Sequence, residues 1–161
     1  MDDASLTTVI VGFLGEIALP VRWDVVEGPT ALPGITIDRG TLVVDLARWR
    51  YPGDVLHEAG HLAVMPAEER TRRVRDAGAD PAREMMAIAW SYAAVCHLGL
   101  DPAVVFHEGG YRGGAQSLIE NFTAGRYIGV PVLQWLGLTA DDRRAAELGI
   151  QPYPRMRRWL L

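Results

Sequence analysis

The stretch "DVLHEAGHLAV", residues 54–64, decides how the rest of the chain is read. It holds two of the chain's four histidines, His57 and His61, with Glu58 between them. "RYPGD" punctuates the chain before it and Pro66 follows it, so an amphipathic helix is predicted from about residue 53 to 65. On an α-helix, residues i and i+4 differ by about 40° in direction and about 6 Å in rise. His57 and His61 therefore point the same way and can share one metal ion. Zinc takes imidazole nitrogen at about 2.0–2.1 Å, so two such ligands converge without backbone strain. Glu58 is rotated away from His57 by about 100°. That sets it beside the ion, where it can take a proton from a metal-activated water. The competing expectation is plainer: two histidines on a half-buried helix face, with Glu58 in solvent. Ala59 and Gly60 favour the first, because small residues let a second helix approach, and Gly in a helix otherwise costs about 1 kcal/mol.

A catalytic zinc ion usually has three protein ligands and one open position. The remaining donors are Glu68, Glu69, Asp80, Glu84, His97, His107 and Glu108. Glu84 is the expected third ligand. It lies in "DPAREMMAIAWSYAAVCHLGL", where Asp80 and Pro81 form a good helix start and Gly99 ends the run. From Met85 to Val95 this helix is apolar nearly all round, so it should be central and buried. A carboxylate at its interior end is costly unless paired or metal-bound. The alternative for Glu84 is an exposed first-turn acid favoured by the helix dipole. Asp80 is better explained as the N-cap. His97 lies thirteen residues from Glu84, about 20 Å along an unbroken helix, so the two cannot share an ion.

With these residues in view, "HEAGH" followed by a helix carrying a Glu resembles the gluzincin group of zincin metallopeptidases. The order hairpin, HExxH helix, Glu-bearing helix also resembles the compact ImmA/IrrE-type peptidases. The resemblance covers roughly residues 35–95, and His57, Glu58 and His61 match residue by residue. It implies that His57, His61 and Glu84 bind zinc and that Glu58 is the catalytic base. The third His of the metzincin extension is absent. Further on, "HEGGYRGG" (107–114) reads as a glycine-rich loop over a cleft, or as a plain surface turn. In the first case His107, Tyr111 or Arg112 could stabilise a tetrahedral oxyanion.

Elsewhere the pattern predicts an α+β architecture: a small N-terminal β-sheet followed by a mostly helical body, zincin-like, in a single domain over 1–161. Residues 5–18 read as a first helix, 21–27 as a strand, and "ITIDRGTLVVDL" (35–46) as a hairpin turning at Asp38-Arg39-Gly40. The polar "AEERTRRVRDAG" reads as a short exposed helix or a loop. "DPAVVFH", "AQSLIENFTAGRYIG", "PVLQWLG", "DDRRAAELG" and "YPRMRRWL" read as helices. Cys96, the single cysteine, rules out an intramolecular disulfide and reads as a buried small hydrophobe.

Charge and composition exclude several roles. A net charge of −4, with all 16 basic residues Arg and scattered, gives no reason to expect nucleic acid or an anionic membrane as partner. The apolar N-terminal stretch opens with two Asp and is too short to span a bilayer. A reducing, cytoplasmic setting is expected. Trp135, Leu136, Trp159, Leu160 and Leu161 would suit a homodimer, and core packing explains them equally well. The leading expectation is a zinc hydrolase acting on a peptide or protein, with strand 35–46 as an edge to hold an extended peptide. The others are a zincin-derived regulatory or binding module without turnover, and a helical domain without metal.

Overall fold

The computed structural model describes residues 1–161. The chain is α+β, with seven α-helices and a small four-stranded mixed sheet. Helix α1 (Asp3–Glu16) starts where Asp2 Oδ1 accepts from the Ser5 N–H at 2.8 Å. It buries Leu6, Ile10, Phe13 and Leu14, the spacing of one helical face. Strand β1 (Val21–Trp23) is shorter than the predicted 21–27. Strands β2 (Ile35–Asp38) and β3 (Thr41–Val44) form the predicted hairpin. Its turn residues Arg39 and Gly40 have φ of 48° and 84°, which is the type I′ requirement of two positive φ values.

The sheet order is β1-β3-β2-β4, with β4 formed by Val74–Arg75. The hairpin is therefore interior, which corrects the expectation that 35–46 is an edge. Strand β1 runs parallel to β3 and covers one side, while β4 runs antiparallel to β2 and covers the other. The edge next to the histidine motif is β4. Both of its residues are exposed, so it carries no hydrophobic alternation for a sequence pattern to detect.

Helix α2 (Pro52–Ala63) bears the HEAGH motif and is buried nearly all round, not on one face. It crosses α4 (Pro81–Leu98), which buries every residue from Met86 to Val95. Asp80 caps α4 by accepting from the Ala82 N–H at 2.9 Å, and Gly99 ends it at φ 65°. The contact is tightest at Gly60, where a Cβ would come within 2.9 Å of the Ala87 carbonyl oxygen. Ser91, the polar break in α4, is satisfied there: its hydroxyl donates to the Ala87 carbonyl at 2.6 Å and faces the Leu56 carbonyl at 3.4 Å. One hydrophobic cluster of 33 buried residues runs through α1, the sheet, α2, α4 and the C-terminal third.

Four helices follow the expected order in part. Helix α3 (Ala67–Arg70) precedes β4, and α5 (Ala115–Thr123), α6 (Val130–Trp135) and α7 (Asp142–Leu148) follow α4. "DPAVVFH" forms only a 3₁₀ turn, Pro102–Val104. "YPRMRRWL" is not helical. Pro152 and Pro154 remove N–H groups there, and the backbone bonds outward instead. The Arg157 N–H donates to Leu138, the Leu161 N–H donates to Ala63 at 2.9 Å, and the Trp159 carbonyl accepts from Trp90 Nε1 at 2.9 Å. Trp159, Leu160 and Leu161 thus pack against the core, while Trp135 is 83% exposed. Cys96 is exposed, because it leaves the buried face of α4 one residue after Val95. No helix is long and apolar enough to cross a membrane.

Gly60→Val tests the helix contact. A branched side chain facing the Ala87 backbone must push the helices apart, and overpacking of this kind costs about 1–3 kcal/mol. A drop of several degrees in melting temperature, measured on metal-free protein, is expected.

Candidate metal centre

Three side chains from two helices converge where α2 meets the first turn of α4. His57 and His61 project from α2 one turn apart, with their rings nearly perpendicular at 89°. Glu84 reaches them from α4. His57 Nε2 lies 3.4 Å from Glu84 Oε1, His61 Nε2 lies 3.1 Å from Glu84 Oε2, and the two Nε2 atoms are 3.1 Å apart. The ligand atoms of all three residues fall within 4.8 Å of one another, close enough to hold a metal ion. A tetrahedral ion with bonds of about 2.05 Å would set its ligands about 3.3 Å apart, so the triangle has the size such an ion needs. The His61 side chain is buried, that of His57 nearly so, and that of Glu84 is 47% exposed, which leaves the triangle open on one side.

The two carboxylates at this point differ in environment. Hydrogen bonds with His57 and His61 hold the Glu84 carboxyl well below the usual carboxylate range, so it stays anionic. Glu58 is buried, and burial pushes its carboxyl up, against a smaller opposing pull from His61 and His57. Its Oε2 has no hydrogen-bond partner in the protein. Glu58 lines the same cleft as the triangle. That cleft has a volume of about 510 Å³. Asp76-Ala77-Gly78-Ala79, the segment after β4, forms one wall, and Gly110-Tyr111-Arg112 forms another.

The other donors considered from sequence lie outside this group. Glu69 forms a two-pronged pair with Arg83, whose second nitrogen lies 2.7 Å from Glu69 Oε2. Glu68 pairs with Arg72 at 2.7 Å, and Asp80 is the α4 cap. Glu108 is exposed. His97 sits at the far end of α4 between Phe13 and Trp159. His107 is half-buried, and its Nε2 lies 2.7 Å from Asp54 Oδ1, while its ring stacks on Tyr51 at 3.9 Å. Tyr111 Oη lies 3.2 Å from His57 Nδ1, on the side of the imidazole away from Glu84. Burial pushes the Tyr111 hydroxyl far up, so it remains a neutral phenol.

Asp54 and Asp76 were not singled out by the sequence reading. Asp54 is three residues before His57 on the same helix, so helical spacing carried a signal for it. Asp76 follows the undetected strand β4 and carried none. Comparison of the chain with protein-family models, with curated proteins and with solved structures finds no match in any of the three.

Two substitutions separate the ends of α4. Glu84→Ala should weaken metal binding strongly, whereas His97→Ala should leave metal affinity unchanged and cost only its packing. Titration of the metal-free proteins with zinc reads both. Zinc lost with His97 and kept without Glu84 would place the third ligand at the other end of the helix.

Proposed function

We propose that the chain is a zinc-dependent hydrolase of gluzincin type, cleaving a peptide or amide bond. The observation that carries this reading is the 3.1–3.4 Å triangle of His57 Nε2, His61 Nε2 and Glu84 with the unpartnered Glu58 carboxylate beside it. Two imidazole nitrogens and one carboxylate oxygen suit zinc, and the exposed side of Glu84 leaves room for an open position. Zinc held there supplies a Lewis acid and lowers the pKa of water to about 7.

The protein's own groups supply the rest. Glu58 takes the proton of the attacking water and returns it to the leaving amine. Glu84, held anionic, offsets the charge of the ion. Arg112 lines the cleft and is the cationic side chain there available to a developing oxyanion. A peptide substrate is favoured by the placement of β4, a short exposed edge strand that runs into the wall of the cleft at Asp76–Ala79. An extended peptide can add to such an edge by main-chain hydrogen bonds. The retained Glu58 speaks for turnover over a purely regulatory module, since nothing else in the molecule uses its Oε2.

Glu58→Gln tests the proposal on a peptide library. The variant should bind zinc as the wild type does and hydrolyse about a hundredfold more slowly or less, the scale of general-base loss. Equal rates would remove Glu58 from the chemistry, and no cleavage by either protein would favour a binding role.

A further inference from the structure

The segment 106–112 runs beside α2 and meets it at successive turns. At the first contact, His107 stacks on Tyr51 with an interplanar angle of 16°, and Gly109 lies so close to the same ring that a Cβ would come within 2.6 Å of it. At the second, His107 Nε2 meets Asp54 Oδ1 at 2.7 Å, with both side chains nearly buried. At the third, Tyr111 Oη meets His57 Nδ1 at 3.2 Å. The Tyr111 ring is fixed from behind by Phe106, edge to face at 5.4 Å.

The backbone that delivers Tyr111 is strained. Tyr111 and Arg112 have φ of 55° and 49°, in the left-handed region that non-glycine residues avoid. A conformation of that kind persists only where surrounding contacts hold it, and here they include those with Tyr51, Asp54 and Phe106. What the strained turn achieves is one polar contact, the hydroxyl behind His57. The other histidine has no counterpart: His61 Nδ1 is buried and lacks a hydrogen-bond partner.

We propose that Tyr111 is a positioning residue for His57: its hydroxyl meets Nδ1 and fixes the ring so that Nε2 faces His61 and Glu84, and it accepts the Nδ1–H in the form that binds metal through Nε2. The proposal rests on the metal reading of the site and assigns Tyr111 a role other than stabilising an oxyanion. Its hydroxyl lies behind the imidazole, and the ring separates it from the point where the three ligand atoms converge. A neutral imidazole carries its proton on either nitrogen, and only the Nδ1–H form offers Nε2 to a metal. A hydroxyl oxygen held at Nδ1 can accept that proton, and it holds the ring in place as partners of ligating histidines generally do.

The test reads metal affinity and tautomer, not turnover alone. Zinc Kd is measured by competition with a chromophoric chelator for wild type and Tyr111→Phe, beside melting curves of the metal-free proteins. Tyr111→Phe should raise Kd by about ten- to hundredfold, the usual effect of losing such a partner, while the metal-free melting temperature changes little. Long-range ¹H–¹⁵N spectra of the zinc-loaded wild type should show His57 protonated at Nδ1 and metallated at Nε2, a readout that needs no variant. Equal Kd values, zinc on Nδ1, or a lowered kcat at unchanged Kd would each overturn the role of Tyr111 and leave the zinc site standing. Failure of the wild type to bind zinc would overturn both.

Discussion

The close crossing of α2 and α4 is the constraint on which the site depends. Neither helix holds three ligand atoms alone. The two histidines share a face of α2 by helical geometry, and Glu84 joins them only because Gly60 lets the Ala87 backbone approach. The glycine is costly in a helix interior, and so is a helix carrying two histidines and no side-chain N-cap. Helix α2 therefore owes its stability to packing on all sides more than to its own sequence.

That packing comes at a polar cost which is met in an uneven way. Helix α2 buries Asp54, Glu58 and His61 in addition to its apolar residues. Asp54 is matched by His107, and the end of the helix is closed by Arg70, whose guanidinium donates to the Leu62 and Met65 carbonyls at 3.1 Å each. Glu58 Oε2 and His61 Nδ1 are left without partners. Two of the four buried orphan side-chain atoms in the protein thus belong to the HEAGH motif. The other two, Arg73 Nε and His107 Nδ1, lie outside the lining of the cleft, whereas Glu58 lines it.

Much of the framework was legible because its signals are local. The i, i+4 histidines, the Asp80-Pro81 start and Gly99 stop of α4, and the hairpin turning through Arg39-Gly40 all follow from neighbours in sequence. Glu84 was chosen by a physical argument, that a carboxylate at the end of an apolar helix needs a partner, and the structure brings it to both histidines. What escaped was set by tertiary contact. Strand β4 is two exposed residues recruited by β2, and the last ten residues give up a helix for bonds to Ala63 and Trp90. Tyr111 stood in a glycine-rich run that invited a mobile loop, and nothing local shows that Asp54 and Tyr51 anchor it.

The residues after 100, which resembled nothing by sequence, supply no ligand to the triangle, yet they set its surroundings. Gly53 near the start of α2 sits against the Val104 carbonyl, where no side chain would fit. His107 takes the buried Asp54, Tyr111 stands behind His57, and Leu161 bonds to the last residue of α2. The C-terminal third therefore touches α2 at its start, its middle and its end. The grip of the C-terminal third holds a short, intrinsically weak helix along its length. It also divides the work of the chain. Residues before 100 provide the donor atoms, and those after it hold the helix that carries two of them.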